Sequence, residues 1–304
     1  MSPASSSQED DHLIQDTTPP QSPCSEPSAS QTFTLDNGDT IGYSTCGPAS
    51  NDPIFLLHGW PGSRMTGLFF HSLAKELGAR IICPDRPGIG LFTPSPGRTL
   101  LDYPNSIAQL ARYLGLNTYR ILGWSGGGPF ALARAKALPR EQLLRVGVLA
   151  GIGPADTGLD GLRTANEFLF RFTMSFPWLM RLLLKWTTVR KAQDPDPEVL
   201  RLYMKSQMEW MRGQEKKDLE DLFAADPGAM EIKLLLGSWG FELESLEAEV
   251  MLWYGTADIN VLILVGREMA KKLKKVKLKE YKGFTHFTIF KHHTKEILRH
   301  LLQD

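Results

Sequence analysis

The residues Gly123-Trp124-Ser125-Gly126-Gly127-Gly128-Pro129 set a serine among glycines where two patterns meet. Before them runs the apolar segment Tyr119-Arg120-Ile121-Leu122. After them comes Phe130-Ala131-Leu132-Ala133-Arg134-Ala135, which favours helix. Strand, tight turn and helix with a serine at the tip form a nucleophile elbow. The turn forces the Ser125 backbone into a strained conformation. Gly123 and Gly127 let strand and helix approach without a side-chain clash. Gly-x-Ser-x-Gly is common by chance, so its meaning depends on what the rest of the chain supplies.

A serine hydroxyl is a poor nucleophile at neutral pH and needs a base in contact, oriented by a carboxylate. Asp258 closes the segment Trp253-Tyr254-Gly255-Thr256-Ala257-Asp258 at the end of an apolar run. His286 follows Tyr281-Lys282-Gly283-Phe284-Thr285, after the last strand-like segment and ahead of an apolar helix. Asp beside Gly is often only a turn residue, and Asp156 competes for the role of acid. His286 stands out from His71, His292, His293 and His300 because it is expected in a loop at a strand end. An oxyanion formed by attack at a carbonyl needs amides as well. His58-Gly59-Trp60-Pro61-Gly62 follows the apolar run 53–57 directly, and its turn leaves the Trp60 amide free to join that of Gly126. His58 reads as a brace for this loop rather than as the base. Trp124 is expected at the elbow and pocket, beside the nucleophile.

The positioning elements read as follows. Segments 32–35 and 40–45 flank Asp36-Asn37-Gly38-Asp39, a hairpin signal. Strands are expected at 53–57, 80–84, 145–150, 249–253 and 276–281. Helices are expected at 68–77, 99–115, 264–274 and 288–302. Strands alternating with helices imply a mostly parallel sheet covered on both faces. Residues 154–246 break the alternation with a helical pattern carrying Phe168, Phe170, Phe172, Met174, Phe176, Trp178, Met180 and Trp186. That suggests a helical cap over the carboxyl edge of the sheet, where such folds bind ligands. A membrane-spanning helix at 168–186 is disfavoured by Arg171, Pro177, Arg181 and Lys185. A membrane-surface contact by the cap remains a weaker alternative.

Five ordered motifs resemble the α/β-hydrolase superfamily: His58-Gly59-Trp60-Pro61-Gly62, Pro84-Asp85-Arg86-Pro87-Gly88-Ile89-Gly90, Gly-Trp-Ser-Gly-Gly-Gly-Pro at 123–129, Trp-Tyr-Gly-Thr-Ala-Asp at 253–258, and the late His286. Serine, acid and histidine also come in that superfamily's chain order. The resemblance covers about residues 32–302 and implies an α/β fold with a helical cap. It implies Ser125, Asp258 and His286 as the catalytic residues and Trp60 and Gly126 as the oxyanion hole. Within the capped members, the His-Gly-Trp-Pro-Gly turn is similar to that of epoxide hydrolases. Those enzymes and haloalkane dehalogenases carry aspartate at the elbow, so Ser125 argues against both. Asp-Arg-Pro-Gly-Ile-Gly resembles proline iminopeptidases, but their turn is typically His-Gly-Gly-Pro-Gly and position 60 here is Trp. Two further departures concern geometry. The family often has Asp-x-x-Val-Pro where this chain has Asp258-Ile259-Asn260-Val261-Leu262, and its histidine often follows Gly where this chain has Thr285.

The chain has 304 residues, with 34 Lys plus Arg balanced by 34 Asp plus Glu. A zero net charge gives nucleic acid no footprint. The run Lys271-Lys272-Leu273-Lys274-Lys275-Val276-Lys277-Leu278-Lys279 reads as solvated helix face and protected sheet edge. Cys24, Cys46 and Cys83 have no metal-ligand spacing and read as free thiols in a reducing compartment. Residues 1–30 are rich in Ser, Pro, Gln and acids, lack a signal-peptide pattern and read as a disordered tail. The resulting expectation has three parts: the tail at 1–30, a core at 31–153 and 247–304, and a cap at 154–246. The expected protein is a cytoplasmic serine hydrolase without cofactor or metal, cleaving a small or medium apolar ester through an acyl-enzyme. Amide or peptide hydrolysis (aminopeptidase-like) and acyl transfer are alternatives of the same chemistry. A slow-turnover ligand-binding receptor is the alternative of another class. An aminopeptidase would need a carboxylate placed to bind the substrate ammonium, and Glu167 or Glu209 could serve if either faces inward.

Overall fold

The computed structural model describes residues 28–60, 62–137, 141–154, 231 and 234–303. Residues 168–186, Asp156, Glu167 and Glu209 lie outside them, as does most of the expected cap.

Eight strands form one sheet: β1 Ser28–Thr34, β2 Thr40–Cys46, β3 Asp52–Leu57, β4 Ala79–Pro84, β5 Tyr119–Trp124, β6 Leu143–Leu149, β7 Val250–Gly255 and β8 Val276–Tyr281. Their order across the sheet is β1-β2-β4-β3-β5-β6-β7-β8. β1–β2 and β2–β4 pair antiparallel; every later pair is parallel. The hairpin forms where Asn-Gly requires it. Gly38 takes φ +85°, and the Leu35 amide donates to the Asp39 carbonyl at 2.7 Å. β1 starts at Ser28, so residues 28–30 leave the expected tail and join the sheet. There Ser30 Oγ accepts from Arg64 Nη2 at 2.9 Å. Ser28 pairs with Thr45 of β2, and the register breaks over Ala29 and Ser30 before resuming at Gln31, an arrangement composition alone does not foresee.

Helices α1 His71–Leu77, α2 Tyr103–Tyr113, α3 Gly128–Ala137, α4 Ile263–Lys272 and α5 His286–Leu302 flank the sheet. The expected helix 68–77 is split into a 3-10 segment, Arg64–Phe70, and α1, which Gly78 ends at φ +64°. The expected helix 99–115 shortens to α2. Asp102 accepts from the Thr99 amide at 2.7 Å, a turn contact outside the helix.

β3, β5 and β6 are buried over nearly their whole length, as central parallel strands require. One apolar cluster lies on the face covered by α2, α3 and α4, with Ile107, Leu110, Ala131, Val265 and Met269. The other lies under α1 and α5, with Ala74, Ile289, Ile297, Leu298 and Leu301. Leu235, Trp239, Leu243 and Leu246, at the end of the expected cap, are buried in the first cluster. The lysines near β8 are matched across the surface: Lys277 pairs with Glu249 at 2.5 Å, and Lys274 and Lys279 pair with Glu247 and Glu296. The stretch is therefore a neutralised sheet edge, as the sequence suggests. Among the described residues, no helix is long and apolar enough to cross a membrane.

Candidate active site

Ser125 opens a short 3-10 turn, Ser125–Gly127, between β5 and α3. Its φ is +53°, a left-handed conformation that costs an L residue on the order of 1–2 kcal/mol. The surrounding glycines explain how the chain reaches it. A Cβ on Gly123 would stand 2.5 Å from the Gly127 carbonyl oxygen. One on Gly127 would stand 2.0 Å from that of Leu57. Any side chain at either place would push the elbow off the sheet. The serine carbonyl in turn accepts from the Ile152 amide at 3.2 Å, tying the elbow to the segment that follows β6.

Asp258 and His286 come from the two turns beyond β7 and β8, and those turns are joined by their backbones. The Thr256 amide donates to the Tyr281 carbonyl at 3.0 Å, and the Ala257 amide to the Phe284 carbonyl at 3.0 Å. Gly255 permits this, since a Cβ there would meet the Phe284 oxygen at 2.1 Å. Asp258 divides its carboxylate between two tasks. Oδ1 accepts from the amides of Asn260 and Val261 at 2.8 and 2.9 Å, while Oδ2 lies 2.7 Å from His286 Nδ1. A carboxylate only accepts, so Nδ1 carries the proton and Nε2 is left with its lone pair. Where the family often has a proline shortly after this position, the Asp258 side chain itself closes the turn.

His286 was expected in a loop; it is instead the first residue of α5. Thr285 caps that helix, accepting from the Thr288 amide while Thr288 Oγ1 accepts from the Thr285 amide at 2.7 Å. This reciprocal cap takes the place of the glycine that often precedes the family histidine. Its sequence signal, Thr-x-x-Thr, was legible but lacks the Glu or Gln of the usual box. The helix fixes the backbone of His286, and Trp124 fixes its ring by stacking on it, with centroids 5.9 Å apart at 28°. Trp124 is itself packed on Phe290, centroids 4.3 Å apart, within the second apolar cluster. It backs the histidine from the core, where the sequence suggested a pocket wall.

The turn after β3 brings Gly59 and Trp60 against the elbow. A Cβ on Gly59 would lie 3.3 Å from Ser125 Cβ, and one on Gly126 would lie 3.1 Å from the Trp60 nitrogen. The Trp60 amide has no hydrogen-bond partner among the described residues. His58 is fully buried, with Nδ1 2.9 Å from the Gly59 carbonyl oxygen. Burial, and then the nearby Arg86 guanidinium, hold its pKa well below the usual imidazole range, so it stays neutral and braces the loop as expected.

Two buried ion pairs escaped the sequence reading. Asp85 accepts from the Arg64 amide at 2.7 Å, from Arg64 Nη1 at 3.1 Å and from the Leu91 amide at 2.9 Å, closing the turn after β4. Arg86 pairs with Glu231, both fully buried, and donates to the carbonyls of His58 and Gly59. The Asp-Arg-Pro-Gly motif was the available signal for the first pair. Nothing local marks Glu231, whose partner is distant in sequence. Among the described residues, no group of three His, Cys, Asp or Glu side chains could hold a metal ion.

The fold is shared widely. An esterase from Exiguobacterium antarcticum superposes with a TM-score of 0.65 at 16% identity, covering 89% of this chain and 98% of that one. A bromoperoxidase from Bacillus anthracis gives 0.61 at 20% identity, over 90% and 100% of the two chains. In sequence, a proline iminopeptidase from Xylella fastidiosa is 33% identical over 123 residues, 39% of this chain and 38% of that protein. The uncharacterized hydrolase YcgS of Bacillus subtilis is 30% identical over 111 residues, 36% of this chain and 38% of that protein. The matches thus span under two fifths of the length of these relatives. The alpha/beta hydrolase family itself matches over residues 54–278, which takes in Ser125, Asp258 and most of the sheet. With an eight-stranded, mostly parallel sheet under helices on both faces, the chain belongs to the alpha/beta hydrolase family.

Proposed function

We propose that the chain is a serine hydrolase that cleaves a carboxylic ester of a small or medium apolar substrate through an acyl-enzyme. The observation that carries this is the Asp258–His286 pair at 2.7 Å, stacked on the ring of Trp124, the residue before a serine held at φ +53°. In this reading His286 Nε2 takes the Ser125 proton as Oγ attacks the ester carbonyl. It then gives that proton to the leaving alcohol. Water, deprotonated by the same nitrogen, attacks the acyl-serine and regenerates the enzyme. Asp258 holds the tautomer and stabilises the imidazolium. The amides of Trp60 and Gly126 receive the oxyanion in both halves of the reaction. The cap at 154–246 supplies the apolar wall, on the strength of its aromatic residues in sequence.

A second reading, amide or peptide hydrolysis, is favoured by the resemblance in sequence to proline iminopeptidases. Such a substrate's ammonium would need a carboxylate, and Glu231 is paired with Arg86 through Oε1 alone among the described residues. A panel of p-nitrophenyl esters of rising acyl length, run beside aminoacyl anilides, tests the choice. Short to medium esters are expected to have the highest kcat/KM. Faster cleavage of proline anilide than of every ester would overturn the ester reading. A folded wild-type protein that no fluorophosphonate labels at Ser125 would favour a ligand-binding receptor.

A further inference from the structure

Arg86 is buried with all three guanidinium nitrogens engaged, and two of them serve one short piece of backbone. Nη1 donates to the carbonyl of His58, Nη2 donates to that of Gly59 at 3.1 Å, and Nε donates to Glu231. The Gly59 carbonyl belongs to the same peptide unit as the Trp60 amide. That unit is planar and trans, so its C=O and N–H point in opposite directions. Whatever fixes the Gly59 oxygen therefore aims the Trp60 N–H. His58 Nδ1, protonated in the neutral ring, donates to the same oxygen at 2.9 Å. The loop also closes tightly on this oxygen, since a Cβ on Gly62 would stand 2.9 Å from it.

We infer that Arg86 is a positioning residue for the oxyanion hole, and that Glu231 holds Arg86 in that role from the helical segment covering the elbow. The inference rests on the proposed use of the Trp60 amide by an acyl-enzyme. A guanidinium is suited to the task because its donors lie in one rigid plane, so adjacent carbonyls can be held at once. A charged donor on the Gly59 oxygen also polarises the peptide, which makes the Trp60 N–H a stronger donor to a developing negative charge. Glu231 anchors the far side of the guanidinium. Four residues further on, Leu235 Cδ1 lies 3.2 Å from where a Cβ on Gly126 would be, so Leu235 sits against the elbow. The ring of Phe130 packs under the guanidinium at 5.0 Å and keeps it from turning.

The test uses the full chain and a fluorophosphonate, whose reaction with Ser125 develops charge on the phosphoryl oxygen in the same hole. No substrate need be known. Single removal of Arg86 would strand a buried Glu231 carboxylate, so the main variant is the pair Arg86→Met with Glu231→Leu. That replaces the ion pair by apolar groups, an exchange buried pairs often tolerate. Glu231→Gln is the second, nearly isosteric variant. Arg86→Lys, with one cationic centre in place of the fork, is the conservative one. Loss of one oxyanion donor costs about 100- to 1000-fold, so a misaimed donor is expected to lower the inactivation rate constant about 10- to 100-fold in the double variant. The probe's binding constant should stay within about threefold, and Tm should stay near that of the wild type. Arg86→Lys and Glu231→Gln should fall between double variant and wild type. A double variant labelled as fast as the wild type overturns the inference. So does a loss confined to Tm and probe binding, or a wild-type rate in Glu231→Gln should the double variant fail to fold. Absence of labelling at Ser125 in the wild type would sink the acyl-enzyme reading itself, and this inference with it.

Discussion

Replacing Asp258 by Asn gives a sharp test of the proposed machinery, because the structure dictates how the new amide must sit. In the wild type, Oδ1 accepts from the Asn260 and Val261 amides at 2.8 and 2.9 Å, and Oδ2 faces His286 Nδ1 at 2.7 Å. An asparagine has one acceptor and one donor end. If its oxygen keeps the two amides, its NH2 faces Nδ1, which must then give up its proton. The proton moves to Nε2, and the histidine can no longer accept from Ser125. The flipped arrangement restores the tautomer but sets the NH2 against the amides of Asn260, which is exposed, and Val261, which is buried. Leaving the buried Val261 N–H unsatisfied costs about 1–3 kcal/mol, while water can serve the exposed Asn260 N–H. At about 1.4 kcal/mol per decade, the competent flip is then populated about 0.7 to 2 decades less than the incompetent one. The expected result is a fall in kcat of that size on whichever ester the enzyme prefers. Tm should change little, because the incompetent arrangement keeps both turn bonds. Steady-state kinetics and a thermal melt on the same preparation measure both. Retention of more than half of wild-type kcat, with Tm unchanged, would refute the argument. Asp156→Asn is the control: if it proves the more damaging change, the acid lies after β6 and Asp258 is only a turn residue.

Ser125→Ala should abolish turnover at an unchanged Tm, since no acyl-enzyme can form; near-wild-type hydrolysis would end the mechanism proposed here. Gly127→Ala should cost several kcal/mol, read as failed expression or a large drop in Tm. Its Cβ would lie 2.0 Å from a backbone oxygen that cannot move away. Buried, neutral His58 links stability to pH. Its folded pKa lies below the unfolded value near 6.5, so the unfolded chain binds the extra proton and stability falls as pH drops below about 6.5, by up to about 1.4 kcal/mol per pH unit. His58→Asn should show a shallower fall between pH 6.5 and 5 in chemical denaturation; equal slopes would contradict the burial argument. Deleting residues 1–27 should leave Tm and hydrolysis unchanged. Deleting 1–30 should lower Tm, because it removes part of β1 and the Ser30 acceptor of Arg64.

Much of this protein was legible along the chain, because the signals that matter act over a few residues. Asn37-Gly38 specified a tight turn, and continuous apolar runs marked strands buried on both faces. Glycines around Ser125 mark a close backbone crossing. Chain order and strand ends singled out Asp258 and His286, and the structure brings the two side chains together. Their mutual contact follows from two neighbouring parallel strands ending at the same edge. What the sequence left open depends on partners far away in the chain. The start of β1 at Ser28 is set by pairing with β2, so a polar, tail-like stretch is ordered by a neighbour's hydrogen bonds. His286 became helical because Thr285 and Thr288 cap each other once α5 is packed. Trp124 turned toward α5 because the sheet buries alternate side chains of β5 on opposite faces. Above all, Arg86 stands in a marked motif, but nothing local announces Glu231 as its partner. A buried charge is tolerable only when folding brings its counter-charge and acceptors to it, and that meeting is a property of the tertiary structure alone.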